Sequence, residues 1–176
     1  MLKTNFIDVI KTLSKEEMKK FSDFANSPYH NSGKSVKKLV ELIKKYHPDF
    51  ENRNFTKEKI YAKVFSSDLY NDQVMRNLMS DALQLCYDFL VSESLRKDPN
   101  LKMRSILHAL RTRNLDAQYD KNLKAAYAAV QKDHSFDFLY FENLYKLEGE
   151  VFLNEITHNR QEGVYPVVVR QGELLT

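Results

Sequence analysis

The chain has 176 residues, 43% hydrophobic and 12% aromatic, with 4 Gly, 4 Pro, one Cys and no Trp. That is enough for one domain or two small ones, in a composition that favours helix over a turn-rich β fold, and a lone cysteine excludes an internal disulfide. The net charge of +3 is unevenly spread: residues 1–65 carry 14 Lys/Arg against 8 Asp/Glu, and residues 66–176 carry 13 against 16.

Residues 1–15 hold no apolar run of signal-peptide length, and no stretch approaches the about 18 apolar residues of a membrane span. The expectation is a soluble, cytoplasmic chain without membrane association. The single cysteine suits a reducing compartment.

In chain order, Phe6, Ile10 and Leu13 recur at helical spacing and predict a short helix over 4–13. Ser14-Lys15-Glu16-Glu17 is a capping box, in which hydroxyl and carboxylate each accept from backbone N–H groups lacking a helical partner. It opens a second helix with Met18, Phe21, Phe24 and Ala25 on one stripe, stopped by Ser27-Pro28 because proline disfavours a helical residue before it. After a polar loop to Gly33, Val36, Leu39, Val40, Ile43 and Tyr46 predict a third helix, ended by His47-Pro48. Phe50 and Phe55 read as anchors into the core. Thr56 caps a fourth helix bearing Ile60, Tyr61, Val64 and Phe65.

The next segment organises the fold. From about Asp72 to Val91, Val74, Met75, Leu78, Met79, Ala82, Leu83, Leu85, Cys86, Phe89 and Leu90 fall within one half-turn of a helix. A surface helix needs an apolar stripe of roughly 100°, and this one covers about 180°, enough for two neighbours. The helix is expected to reach Lys97. Asp98-Pro99 then restarts the chain as an N-cap with proline at the first helical position. Three further helices follow, over 99–113, 116–132 and 136–157, the last capped by Ser135, and their short connections imply antiparallel neighbours. The run Val164-Tyr165-Pro166-Val167-Val168-Val169 is β-branched and reads as extended. Residues 159–176 are therefore expected to be an extended or mobile tail, docked across the helices or free of them, with truncation or a shifted reading frame as a third account.

No residue set demands a chemistry. Ser32-Gly33-Lys34-Ser35 resembles the end of a phosphate-binding loop, but Pro28 stands where that loop requires glycine and a capped helix precedes it instead of a strand. His30, His47, His108, His134 and His158 are scattered and none stands at zinc-ligand spacing with Cys86, so no metal and no cofactor is expected. His47 and His134 read as helix-end residues. Cys86 lies on the apolar face and reads as a small hydrophobe rather than a nucleophile. The carboxylate pairs Glu16/Glu17 and Glu148/Glu150 read as solvated helix faces. Asn54-Phe55-Thr56 has the form of a glycosylation sequon but lacks the secretory signal that would give it meaning. No catalytic residue is assigned.

Two basic faces stand out. Lys34, Lys37, Lys38, Lys44 and Lys45 share the third helix, and Arg104 and Arg111 align with His108 on the helix 99–113, where arginine forks suit phosphate or carboxylate partners. These seven cations are the candidate contacts for a nucleic-acid-binding regulator using the basic N-terminal half. Residues 58–90, a short helix with Val64-Phe65, a turn, then a longer helix, resemble the helix-turn-helix core of winged-helix transcription regulators. That resemblance implies that Gln73 and Arg76 face a DNA groove. Where a winged domain has a β-hairpin, residues 92–115 read as helix. The helices over 99–158, with small residues at Ala125-Ala126 and Ala128-Ala129, resemble tetratricopeptide-type α-solenoid arrays in architecture, without a second copy at a 34-residue period. That resemblance implies a face presented to protein partners.

The expected fold is all-α: an N-terminal helical bundle around a long central helix (1–97), an antiparallel helical array stacked on its far end (98–158), and the tail. The expected function is a non-enzymatic helical adaptor or scaffold that binds another protein or self-associates. The last helix motivates this, because Phe136, Phe138, Tyr140, Phe141, Tyr145 and Phe152 take up more directions than one stripe needs. Phe138, Phe141, Tyr145 and Phe152 are its candidate protein-binding residues.

Overall fold

The computed structural model describes residues 4–50, 55–67, 69–132, 137–158 and 161–173. Every regular element among the described residues is a helix: α1 (Asn5–Ile10), α2 (Lys15–Asn26), α3 (Lys34–Lys44), α4 (Lys57–Phe65), α5 (Asp72–Lys97), α6 (Pro99–Arg111), α7 (Asp116–Gln131), α8 (Phe138–Thr157) and α9 (Gln161–Glu173). The fold is all-α. Two compact units divide within α5, Met1–Glu93 and Ser94–Thr176.

In the first unit, local chemistry sets the helix ends. Thr4 Oγ1 accepts from the Ile7 amide and opens α1. At α2 the capping box is complete, with the Glu17 amide donating to Ser14 Oγ at 3.1 Å and the Ser14 amide to Glu17 Oε2 at 3.0 Å. Thr56 caps α4, and Ser66, at φ 55°, ends it in the left-handed region. The core holds Phe6, Ile7 and Ile10 of α1, Met18 and Phe21 of α2, Leu39 and Ile43 of α3, and Ile60 and Val64 of α4. Phe50 and Phe55 are buried there too, as the sequence anticipates. The α5 side chains Met75, Leu78, Met79, Ala82, Leu85, Cys86 and Phe89 complete this core, and Leu83 and Leu90 pack at its edge. Val74 is the exception to the predicted half-turn, standing exposed. Phe89 meets Phe21 at 5.4 Å and Phe24 at 5.7 Å between ring centroids, tying α5 to α2 through aromatic contacts.

The second unit opens on the predicted signal, with Asp98 Oδ1 accepting from the Leu101 amide at 2.9 Å and Pro99 at the helix start. Asn114, at φ 55°, turns α6 into α7, in a backbone region asparagine tolerates better than most residues. Asp137 caps α8 through the Tyr140 amide, so the helix begins at Phe138, two residues later than the sequence suggests. The expected cap Ser135, together with His134 and Phe136, lies outside the described residues. Leu107, Tyr119, Ala126, Val130, Tyr140 and Leu147 form this unit's core.

The tail departs from expectation. Residues 161–173, read as extended from their β-branched run, are helical, with Pro166 inside the helix. An interior proline removes one helical hydrogen bond and costs about 3 kcal/mol, and β-branched residues are indifferent helix formers. Packing overrides both. Val167 is buried, Arg170 reaches Glu148 at 3.0 Å, and the Gln171 side chain donates to the Tyr145 carbonyl at 3.4 Å. Successive contacts (Gly163 against Glu155, Arg170 against Glu148, Gln171 against Tyr145) run in opposite chain directions, so α9 lies antiparallel on α8.

Candidate interaction surfaces

α8 is built to be covered on more than one side. Tyr140, Leu147, Val151 and Asn154, spaced seven, four and three apart and so on one helical face, are turned inward. Two arginines of α6 join its partly polar flank: Arg104 reaches Asn143 at 3.4 Å and Arg111 reaches Glu150 at 2.9 Å. Both partners advance by seven residues, so α6 and α8 run parallel. The Arg111–Glu150 bridge is deeply set, with both side chains 11% exposed, and Arg111 also contacts Thr157 and His108. Arginine only donates, so His108 Nδ1 is the acceptor in this contact.

The carboxylates Glu148 and Glu150, expected to be solvated, are both withdrawn from water. Glu148 is buried, with Tyr127 donating to Oε1 at 2.6 Å and Arg170 to Oε2 at 3.0 Å. The reason is partner supply: an amphipathic reading of α8 alone does not see the phenol of α7 and the guanidinium of α9 that satisfy this carboxylate. Burial first, and then the bond to Glu148, push the Tyr127 phenol upward. Burial does the same to Tyr119, whose hydroxyl donates to the Glu150 carbonyl at 3.2 Å.

Of the four predicted protein-binding residues, α8 presents Phe138, Phe141 and Tyr145 exposed, with Phe138 81% accessible, while Phe152 is half-buried. α9 approaches α8 at Glu155, Glu148 and the Tyr145 carbonyl. The end around Phe138, Leu139 and Phe141 remains open.

The seven predicted cations fall into two groups. On α3, Lys37 Nζ donates to the Asn26 carbonyl at 3.2 Å, Lys38 Nζ to the Val64 carbonyl at 3.3 Å and Lys44 Nζ to Ser22 Oγ at 3.1 Å, while Lys34 and Lys45 are exposed. Lys37, Lys38 and Lys45 line one open groove of about 500 Å³ with Glu41 and with Lys63 of α4, a cation that α3 periodicity could not have supplied. Glu41 accepts from Ser22 at 2.6 Å and Asn26 at 2.8 Å. The Ser22 bond chiefly holds its carboxyl below the usual range, with the nearby Lys44 and Lys45 charges adding to the effect. Arg104 and Arg111 lie in the second unit, and Arg111 is spent on Glu150.

Of the helix-turn-helix candidates, Gln73 donates to Asn77 at 2.9 Å and Arg76 pairs with Asp72 one turn back. Tyr70 also donates to Asp72, at 2.9 Å; burial foremost, helped by that bond, pushes its phenol up to about 12. A further groove of about 420 Å³, invisible to periodicity, opens between Phe6, Lys57, Met75, Arg76, Met79 and Leu83. Cys86 is buried and its thiol is pushed up to about 12 by desolvation, which keeps it from acting as a thiolate. His47 Nε2 lies 2.9 Å from the Leu13 carbonyl, and His158 Nδ1 2.9 Å from that of Asn154. Among the described residues, no three His, Cys, Asp or Glu side chains cluster as metal ligands, and no helix is long and apolar enough to cross a membrane.

No protein-family model, no curated protein and no solved structure matches the chain.

Proposed function

We propose that this chain is a non-enzymatic helical adaptor of a reducing, cytoplasmic compartment that binds another protein through the open end of α8. One observation carries the reading. Phe138, Leu139, Phe141 and Tyr145 remain exposed on a helix whose other directions are taken by α6, α7 and α9. Aromatic side chains are enriched at the cores of protein interfaces, and contiguous exposed apolar patches mark interaction sites. The arrangement of two hairpins, α6–α7 and α8–α9, with α8 packed on both helices of the preceding pair, supports it. Arrays of this kind offer faces to protein partners.

The test places a photo-crosslinking phenylalanine analogue at Phe138 or Phe141 and, as a control, at the exposed Lys121 of α7, in the native cell. A discrete adduct from the α8 positions only, lost when Phe141 or Phe138 respectively is changed to Ser, is the expected result. An adduct containing two copies of this chain would make the partner a second copy. Absence of any discrete adduct from both α8 positions refutes the adaptor reading.

A further inference from the structure

The groove on the first unit is a different site with a different chemistry. Four ammonium groups, those of Lys37, Lys38, Lys45 and Lys63, face one carboxylate, Glu41, across about 500 Å³ of open space. That carboxylate, held in place by Ser22 and Asn26, offsets one of the four positive charges and leaves the groove cationic. Two of the lysines are also anchored, Lys37 to the carbonyl of Asn26 and Lys38 to that of Val64, so their charges are held at the groove wall rather than swept through solvent. Lys63 is steadied by Tyr46, with Nζ 3.5 Å from the hydroxyl.

The turn that follows the Asn26 edge of the groove carries an aromatic that the core does not use. Tyr29 is 90% exposed, and it lies three residues from Asn26, which lines the groove. Three residues of chain span at most about 10 Å. The ring is mounted on a continuous stack, edge-on to His30 at 4.9 Å, with His30 lying flat on Phe24 at 3.8 Å and Phe24 against Phe89. The turn bearing it is fixed by Asn31, whose amide donates to the Ala25 carbonyl and whose oxygen accepts from the Gly33 amide. A shallow cationic track and an exposed ring carried three residues along the chain from its wall supply the two elements that hold single strands: phosphate neutralisation and base stacking.

We propose that single-stranded nucleic acid binds along this groove, its phosphates on Lys37, Lys38, Lys45 and Lys63 and a base stacked on Tyr29. The site includes Lys63 and Tyr29, and excludes Lys34, Lys44, Arg104 and Arg111 from the set that charge alone would choose.

The experiment is fluorescence anisotropy of a labelled twelve-nucleotide dT strand and its RNA counterpart with the full chain. Three to four phosphate contacts at a salt slope of about 0.7 each predict roughly 20- to 50-fold weaker binding between 50 and 200 mM salt. Lys45→Gln should lower that slope by about one contact. Tyr29→Ala should weaken binding about tenfold and leave the slope unchanged, which separates stacking from charge. Lys121→Gln, in the second unit, should do neither. Thermal melts confirm that each variant is folded. No binding at 25 mM salt overturns the proposal. So does binding indifferent to Lys45 and Lys63, or equal affinity for a duplex or a poly-aspartate peptide with Tyr29→Ala silent. None of these outcomes depends on the α8 surface.

Discussion

The most exacting perturbation is Arg170→Met, because it strikes a buried carboxylate, Glu148, that joins three helices. Glu148 is 4% exposed and each of its oxygens has one donor, Tyr127 at 2.6 Å and Arg170 at 3.0 Å. Methionine keeps most of the stem and removes the charge. Breaking a fully buried pair costs about 3–5 kcal/mol, but Arg170 is 48% exposed and gives up less hydration than a buried partner would. A charge-assisted hydrogen bond of about 1.5–3 kcal/mol is the better guide, so we expect a loss of about 2 kcal/mol. Glu148→Gln should cost only about 1 kcal/mol, since a neutral amide keeps the Tyr127 contact and Arg170 returns to water. The double variant should then fall well short of additivity, by about 1–1.5 kcal/mol. Because the chain holds two units, a global melt alone does not isolate this effect. The deciding assay is hydrogen exchange of α9, which should lose protection in Arg170→Met while α2 and α3 keep theirs. Unchanged exchange in residues 161–173, or strictly additive single variants, would refute the argument that this ion pair holds α9 on α8.

Four further outcomes follow from the first unit. Phe89→Ala, which removes a ring packed on Phe21 and Phe24, should cost about 3–5 kcal/mol by urea denaturation, whereas Ser14→Ala, which deletes half of the capping box, should cost about 1 kcal/mol. The Cys86 thiol, buried and pushed up to about 12, should resist a disulfide reagent at pH 8 and react only at the rate of unfolding; labelling as fast as that of a free thiol would contradict its burial. Glu41 has a lowered folded-state pKa, so its contribution to stability is present above the ordinary glutamate value of about 4.3 and is lost as pH falls through the lowered one. Glu41→Gln should therefore flatten the acid limb of a stability-against-pH curve, and a variant with an unaltered limb would show that the Ser22 and Asn26 bonds contribute nothing.

What could be read in advance, and what could not, follows the range of the forces involved. The capping box at Ser14, the proline stop at Pro28, the restart at Asp98-Pro99 and the apolar face of α5 all depend on residues within a turn or two of each other, and each stands in the structure where the sequence puts it. α9 could not be read this way. Its valines and Pro166 carry a local preference against helix, and the groups that overrule it, Glu148 and the Tyr145 carbonyl, come from a helix already closed by then in the chain. The burial of Glu148 fails to show for the same reason, since the two donors that make it tolerable lie 21 and 22 residues away. The candidate surfaces divide along the same line. The aromatic surplus of α8 is visible as periodicity, but that Phe138, Phe141 and Tyr145 stay exposed while Phe152 is half-buried is set by packing. The lysines of α3 were visible as a charge run, but a run has no shape. Lys63 enters the groove through the packing of α4 on α3, Lys44 is drawn aside to Ser22, and Arg111 is neutralised by Glu150. A basic stripe becomes a binding site only where the fold leaves its charges without acidic partners. In this chain that condition selects a set of residues from two helices that neither helix announces by itself.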